Sequence, residues 1–372
     1  MDSLIGRMLA AYGVARRTFG SYLLPPFAAW VFANIRIGVA IGMAMDNLFF
    51  PSLRKTQVTR PIVLVGNPRT GTTFLQRYLA DHGYGAGMQI WRMLYPSLTL
   101  QLFIKPILPL LEIISPAKYH STPAHKTSLT SVETDDVGVL FRYFDGFFLY
   151  GFFMAFAEEE LKDQFDPNLR GVNDRDFAWL DELWRRSMVG QGAERPIAKL
   201  FSLGPRLPAF LAKYPEASIL YMARDPVSIL PSAMSLVSGV LDNAFNFEKL
   251  PQEVKNKWYE RMYVGLVDLL RLFTDDWNSG KIDKSRVYVV RYDRMMGEFE
   301  VVMDEIHELI GHEPTEAQRK AAIERGEKQR AYKSGHKYDL GKYNLDADKI
   351  REDCAFFYET FLPPLEAEKA EA

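Results

Sequence analysis

Residues 62–76 constrain the fold of this chain more than any other stretch. Residues 62–65 form a short, apolar, mostly β-branched run, which predicts a buried parallel strand. Residues 66–68 interrupt that run, and 71–73 begin a segment with the apolar spacing of a helix. A strand, a glycine-bearing loop and a helix N-terminus together bind phosphate, because loop N–H groups and the helix dipole favour an anion.

The spacing of Gly66 and Gly71 matches the P-loop of nucleotide triphosphatases, but Thr72 stands where that loop carries lysine. The cation comes earlier instead, at Arg69. This pattern predicts a phosphate site and disfavours a P-loop kinase or triphosphatase. An ordinary strand–turn–helix corner without a ligand is the alternative.

Residues 67–73 resemble the 5′-phosphosulfate loop of sulfotransferases that use 3′-phosphoadenosine 5′-phosphosulfate (PAPS). Cytosolic members carry lysine at the position of Arg69, whereas many bacterial members carry arginine. The resemblance covers about residues 60–345. It implies a three-layer, P-loop-like α/β fold with a central parallel sheet, and transfer of a sulfuryl group from PAPS to a hydroxyl, with the bisphosphate PAP as product. The donor-binding residues it implies in the loop are Arg69, Thr70, Gly71, Thr72 and Thr73.

A second phosphate contact is predicted where the strand at 217–223 ends in Arg224. Ser232 follows on the next helix, and an arginine and a serine so placed can hold one phosphate between them. In the family this pair binds the 3′-phosphate of PAPS. Pro231 can kink that helix, which leaves the aim of the Ser232 hydroxyl open. Lys333 lies in a basic, glycine-punctuated segment similar to the family's C-terminal phosphate motif, and is a further candidate contact.

Lys199 lies in an apolar strand predicted at 196–201. Burying an unpaired ammonium is costly, so this lysine either has a partner in the site or reaches water. Family members carry a lysine here, close to the sulfate. Cytosolic members also carry a catalytic histidine two residues later, where this chain has Phe201, so the base must come from elsewhere.

The segment 125–136 supplies two candidates for the general base, Glu133 first and His125 second. Histidine has the better ordinary pKa, about 6.5. A glutamate needs a raised pKa or late proton transfer, and Glu133 could instead stabilise a helix start. The predicted catalytic set adds Arg69 and Lys199, which neutralise the leaving oxygen. No metal is expected, because no His, Cys, Asp and Glu residues have ligand spacing.

After residue 195, strands alternate with helices, which predicts a parallel sheet with right-handed crossovers. Residues 1–55 are predicted to form an N-terminal helical extension, and 56–372 a single α/β domain. Residues 97–190 form a helical insertion in that domain. Within it, Asp135 and Asp136 are predicted to be charges at the start of a helix.

The net charge of −2 provides no global field to recruit nucleic acid. The single cysteine, Cys354, rules out an intramolecular disulfide and favours a reducing, cytoplasmic compartment. Three apolar stretches, at 27–50, 98–114 and 137–157, contain charges or prolines, so we expect buried or interfacial helices rather than membrane spans. A peripheral membrane contact through the N-terminal helices is left open.

The aromatic insertion favours a lipophilic acceptor alcohol over a sugar; the motifs specify neither the acceptor nor the oligomeric state. Arg92 and Phe201 stand where relatives carry an acidic and a basic residue. A nucleotide-binding protein without transferase activity is therefore the second hypothesis, alongside the P-loop kinase.

Overall fold

The computed structural model describes residues 3–115, 127–159, 166–331 and 339–363. Within these ranges, five parallel strands form one sheet in the order β2-β3-β1-β4-β5. The strands are β1 (Ile62–Val65), β2 (Ala86–Gly87), β3 (Pro196–Leu200), β4 (Ser218–Ala223) and β5 (Val287–Arg291).

Helices surround this sheet on both faces and make up most of the chain. In order they are α1 (Leu4–Phe19), α2 (Leu24–Phe49), α3 (Thr72–Asp81), α4 (Ile90–Leu94), α5 (Leu98–Ile104), α6 (Leu108–Ile114), α7 (Asp136–Tyr143), α8 (Phe147–Phe152), α9 (Asn173–Gln191), α10 (Leu207–Lys213), α11 (Pro226–Phe245), α12 (Gln252–Asn278), α13 (Tyr292–Gly297), α14 (Phe299–Ile310), α15 (Glu316–Ala331), α16 (Ala347–Asp353) and α17 (Ala355–Phe361).

The central strand β1 separates two apolar cores, because successive side chains of a strand point to opposite faces. Ile62 and Leu64 pack with α3 and α14 on one face. Val63 and Val65 pack on the other face, in the larger core that contains residues of α7–α12. The predicted three-layer α/β architecture with a central parallel sheet is confirmed.

The strand order places the carboxyl ends of β3, β1 and β4 side by side, and an open parallel sheet binds ligands at that edge. The strand predicted at 62–65 is confirmed in full, and those predicted at 196–201 and 217–223 are confirmed to within a residue. The two-residue β2 was not predicted, because it is too short to show a period of two.

The N-terminal helices are fastened to the body by buried ion pairs. On α1, the Arg7 guanidinium donates to the carbonyls of Tyr143 and Phe144 and lies 3.8 Å from the Asp145 carboxylate. On α2, the Asp46 carboxylate accepts from the Arg186 Nε at 2.9 Å. Both helices therefore belong to the same packed structure as the sheet.

Within the described ranges, two helices, α2 and α11, are long and apolar enough to cross a membrane by length and composition alone. The two helices differ in burial. In the most apolar 18 residues of each helix, 56% of α11 is buried but only 11% of α2. The apolar stretch at 27–50, expected to be a buried or interfacial helix, is therefore not buried over most of its length. The other two apolar stretches are divided, one into α5, a turn and α6, the other into α7, α8 and a short turn.

Candidate active site

The loop between β1 and α3 has a backbone shape that its glycines permit. Gly66 and Gly71 have φ of 141° and 97°, which side-chain-bearing residues rarely adopt. A Cβ on Gly66 would lie 2.8 Å from the Met222 carbonyl oxygen. The Asn67 amide donates to the Leu266 carbonyl oxygen at 2.9 Å and anchors the loop to α12.

Two buried threonines, Thr70 and Thr72, flank the second glycine of the loop. Thr70 Oγ1 donates to the Asn67 carbonyl oxygen at 2.9 Å, inside the loop. Thr72 is buried and is the first residue of α3. Gly71 precedes the helix and has no side chain to cap it, and the first N–H groups of a helix have no intrahelical partner. This helix N-terminus is therefore suited to an anion.

Arg69, Arg224 and Ser232 are brought together beside the loop. Arg69 Nε donates to Ser232 Oγ at 2.9 Å, and Arg224 Nη1 donates to the Arg69 carbonyl oxygen at 2.8 Å. The Arg224 guanidinium lies 3.8 Å from the centre of the ring of Tyr292, which is the first residue after β5. Two arginines and a buried hydroxyl thus converge from three segments, as an oxyanion site requires. Pro231 does not break α11, which continues to Phe245.

Lys199 reaches the start of α3 from the neighbouring strand. Its ammonium donates to Thr73 Oγ1 at 2.8 Å and lies 3.5 Å from Glu133 Oε2. The second Glu133 oxygen accepts from Arg77 Nη2 at 2.7 Å. Lys199, Glu133 and the first turn of α3 therefore form one contiguous polar cluster.

This lysine is almost wholly buried, with 1% of its surface exposed. Burial lowers the pKa of the Lys199 ammonium, and the negative charge of Glu133 acts in the opposite direction. The Phe201 ring lies 5.5 Å from the ammonium, which is the separation of a cation–π contact. The lysine does not reach water; its partners lie in the site.

Asp135 and Asp136 do more than supply charge to the start of α7. The Asp135 carboxylate accepts from the Lys199 N–H at 2.8 Å and from Trp184 Nε1 at 2.9 Å. Asp136 accepts from the Phe201 N–H at 2.7 Å. Burial raises the pKa of Asp135 to about 7. The prediction of simple helix-start charges was incomplete, because both carboxylates fasten the end of β3 that carries Lys199.

Two predicted residues, His125 and Lys333, lie outside the described residues. Arg77 was missed by sequence reasoning, and Tyr292 was interpreted only as part of the architecture after the last strand. Arg77 lies four residues after Thr73 on α3, so helical spacing could have indicated that both face the same neighbour. The place of Tyr292 beside Arg224 follows from the sheet, because Tyr292 follows β5, whose end adjoins that of the strand before Arg224.

The two departures from the family pattern both have structural roles. Arg92 donates to Gln89 and, at 2.7 Å, to Gln101 Oε1, and so ties α4 to α5. Burial lowers the pKa of its guanidinium. Phe201 packs its ring against the buried Phe147 at 6.2 Å between centroids.

Comparison with known families identifies the class to which this arrangement belongs. The family profile described as "Sulfotransferase family" matches residues 61–316, more than half of the chain. The chain belongs to the sulfotransferase family. The matched region contains the phosphate loop, the Arg224–Ser232 pair, Lys199 and Glu133.

Two solved sulfotransferases show the same fold. The sulfotransferase STF1 of Mycobacterium tuberculosis H37Rv superposes with a TM-score of 0.66 and 17% sequence identity, over 95% of this chain and 91% of that one. The sulfotransferase STF9 of Mycobacterium avium gives a TM-score of 0.63 and 18% identity, over 86% of this chain and 81% of that one. A comparison with curated proteins found no match.

Across the described parts of this sulfotransferase, no group of three or more His, Cys, Asp and Glu residues is arranged to hold a metal ion. The cations of the site are the side chains of Arg69, Arg77, Lys199 and Arg224. A bound anion would meet these groups and the N-terminus of α3.

Proposed function

We propose that this protein transfers the sulfuryl group of PAPS to the hydroxyl of a small, lipophilic alcohol. One observation carries the proposal: two anion-binding clusters adjoin the same loop at the carboxyl edge of the sheet. The first contains Arg69, Arg224 and Ser232. The second contains Lys199 and Thr73 at the start of α3. A donor with separate 3′- and 5′-phosphate groups needs two such clusters, whereas an isolated phosphate needs one.

The residues present fit this donor. The N-terminus of α3, with Thr72 and Thr73, would hold the phosphosulfate, because its N–H groups are available to an anion. Arg224 and Ser232 would hold the 3′-phosphate, and Lys333 is proposed as a further contact to it. Gly66 and Gly71 keep the loop free of side chains that would fill the space beside it.

Arg69 has two candidate positions in this scheme. The family resemblance assigns it to the sulfate end, where it would stabilise the oxygen that leaves. Its Nε hydrogen-bonds Ser232, which belongs to the 3′-phosphate cluster. A long side chain between the two clusters can reach either one. We propose that the Arg69 guanidinium lies at the sulfate end when the donor is bound.

The reaction is an in-line displacement at sulfur. The acceptor oxygen forms a bond to sulfur as the bond from sulfur to the bridging phosphate oxygen breaks. The electron pair of the broken bond stays on the bridging oxygen, which leaves as part of PAP. Lys199 and Arg69 would neutralise the charge that develops there, and such fixed electrostatic stabilisation is often the largest contribution to catalysis.

The proton of the acceptor hydroxyl has to go to a base beside Lys199. We propose Glu133 for this role, because its carboxylate lies 3.5 Å from the Lys199 ammonium. The ion pairs with Lys199 and Arg77 keep the carboxylate in place but weaken it as a base, which suits transfer late in the displacement. His125 stays the second candidate.

Aromatic side chains support a lipophilic acceptor. From the Lys199 ammonium, the rings of Phe201, Phe147, Phe148 and Phe152 follow one another with centroid separations of 6.2, 5.6 and 6.0 Å. Phe148 and Phe152 are only half-buried, so the series leads from the cluster toward the surface. Apolar rings would bind the hydrocarbon part of an alcohol and offer few partners to a sugar.

The test is incubation of the purified protein with labelled PAPS and a lipid-plus-metabolite extract, followed by mass spectrometry for sulfated products. Matched pairs of long-chain alcohols and sugars then report the acceptor class. We expect sulfation of alcohols and no dependence on added magnesium. Tight binding of PAP with no transfer to any alcohol would favour the nucleotide-binding alternative, and magnesium-dependent hydrolysis of ATP would favour the kinase.

The proposed compartment is the cytoplasm, where a chain with one cysteine stays reduced. Cys354 is buried, and burial raises the pKa of its thiol to about 12. The thiol is therefore protonated and unreactive at neutral pH, and takes no part in the proposed reaction.

A further inference from the structure

Exposed large hydrophobic side chains are concentrated on three helices from the N-terminal part of the chain. Large hydrophobic side chains of α2, α5 and α6 are exposed, and we call this surface the apolar platform. Its principal members are Phe27, Trp30, Ile41, Phe103, Leu110 and Ile113. Helix α2 alone, with 26 residues, extends for about 39 Å.

The helices of the platform turn their few acidic groups into the protein. Asp46 is the one acidic residue of α2, and it accepts from Arg186 Nε, Ser97 Oγ and the Thr99 N–H. Glu112 is the one acidic residue of α5 and α6, and both of its oxygens accept from the Leu129 N–H, at 3.1 and 2.9 Å. The outward surface is therefore left without a negative charge of its own.

Basic residues adjoin the same surface. Residues 1–60 contain seven arginines and lysines but two acidic residues, in a chain with 45 basic and 47 acidic residues overall. Arg16 and Arg17 end α1 just before α2, Arg54 and Lys55 follow α2, and Lys105 lies between α5 and α6. Anionic lipids attract such basic groups, each contributing on the order of a fewfold in affinity.

We propose that the apolar platform docks on the surface of an anionic lipid bilayer. Exposed aromatic and aliphatic side chains of α2, α5 and α6 would enter the interface, and the flanking arginines and lysines would contact lipid headgroups. This proposal goes beyond the enzymatic activity and does not depend on it.

The platform lies on the bilayer and does not span it. Helix α2 is held along the body by Asp46, and Gly42 packs so closely that a Cβ there would lie 2.6 Å from Ser97 Oγ. Inserting α2 across a membrane would break the buried pair with Arg186. An uncompensated buried charge makes that exchange unfavourable.

The inner side of the platform connects to the candidate active site. The segment that leads to Glu133 is held by Glu112, while Leu129 packs with Trp91, Ile104 and Leu108. Helices α5 and α6 therefore contact the segment that leads to Glu133, the proposed base. A bilayer on this surface would bring lipids with hydroxyl groups close to the site.

The test is co-sedimentation of the full-length protein with vesicles, without any donor. We expect binding to vesicles of phosphatidylcholine mixed with phosphatidylglycerol, and weaker binding to phosphatidylcholine alone. Phe103→Glu should lower the partition coefficient about tenfold, because it removes a large apolar side chain from the interface. Leu169→Glu is the matched control, since Phe103 and Leu169 are both 69% exposed and Leu169 lies outside the platform.

Each result decides the proposal. Binding that Phe103→Glu weakens and Leu169→Glu preserves, released by a carbonate wash at alkaline pH, supports interfacial docking. Resistance to that wash would overturn it in favour of a spanning helix. Failure to bind either vesicle would also overturn it, and conversion of a dimer to a monomer by Phe103→Glu would then show that a second copy covers the surface.

Discussion

Replacing Arg69 with alanine separates the two places where this side chain can act. Arg69 Nε donates to Ser232 Oγ at 2.9 Å, while its loop leads into the start of α3, where Lys199 contacts Thr73. A role at the sulfate end affects the rate of transfer. A role confined to the 3′-phosphate affects donor affinity instead. The two are distinguished by measuring kcat with PAPS saturating and the dissociation constant of PAP.

We expect Arg69→Ala to lower kcat by about 10²–10³-fold, or about 2.7–4 kcal/mol in activation free energy, as for the loss of one electrostatic donor in a transition state. Ser232→Ala removes one hydrogen bond to a charged group, worth about 1.5–3 kcal/mol. This should weaken PAP binding by about 10–150-fold and leave kcat nearly unchanged. The two variants therefore differ in which constant changes most.

The matched control is Arg60→Ala. Arg60 and Arg69 both have a positive φ, of 43° and 76°, but Arg60 precedes β1 at the opposite edge of the sheet from the loop. Its guanidinium is half exposed and lies 4.0 Å from the Glu194 carboxylate, so its loss should change neither constant. An unchanged kcat for Arg69→Ala, with donor saturating, would refute the assignment of Arg69 to the sulfate end.

The remaining predictions test three buried charges, those of Lys199, Glu133 and Asp46. Because burial lowers the pKa of Lys199 from its ordinary 10.5, kcat/KM for the donor should fall at an alkaline pH below that value. Glu133→Gln removes a charge that raises this pKa, so it should move the fall to lower pH. An unmoved profile would exclude Lys199 as the group that titrates. If Glu133 is the base, Glu133→Gln should also lower kcat by about 10²–10⁴-fold with an unchanged circular dichroism spectrum, whereas a loss below tenfold would favour His125. Asp46→Ala should lower the free energy of unfolding by about 3–5 kcal/mol in urea denaturation, as expected for one partner of a buried pair. Hydrogen bonds hold the pKa of Asp46 below its ordinary 3.8 despite the opposing effect of burial. The contribution of Asp46 to the free energy of unfolding is therefore present above pH 3.8 and is lost as the pH falls through the lowered pKa. An Asp46→Asn variant whose free energy of unfolding falls as steeply in acid as that of the parent would contradict this.

The parts of the fold that follow local rules could be predicted from the sequence. The strand at 62–65 is apolar and β-branched, and the glycines after it end it, so its position follows from neighbouring residues. The approach of Arg224 to the loop also follows, because carboxyl ends of parallel strands share one edge. These regularities depend on a few adjacent residues and one topological rule.

The buried charge contacts could not be predicted in the same way. Asp46 contacts Arg186, 140 positions away, and Asp135 contacts the Lys199 backbone, 64 positions away. Sequence periodicity records which face of an element is apolar, but not which distant partner a carboxylate meets. For that reason Asp135 and Asp136 were interpreted as helix charges, and α2 as a helix to be buried or placed at an interface.

The origin of the cation at the helix start separates this site from a P-loop kinase. A kinase-type loop places its lysine at the position of Thr72, where the side chain follows any change in loop conformation. Here Lys199 comes from β3, and its backbone N–H is held by the Asp135 carboxylate at 2.8 Å. Since Leu64 of β1 pairs with Lys199, the sheet register fixes the distance between this ammonium and the loop. The ammonium therefore has its position without a donor. In the proposed mechanism, little reorganisation would remain when charge develops on the leaving oxygen, which is the condition under which electrostatic catalysis is most effective.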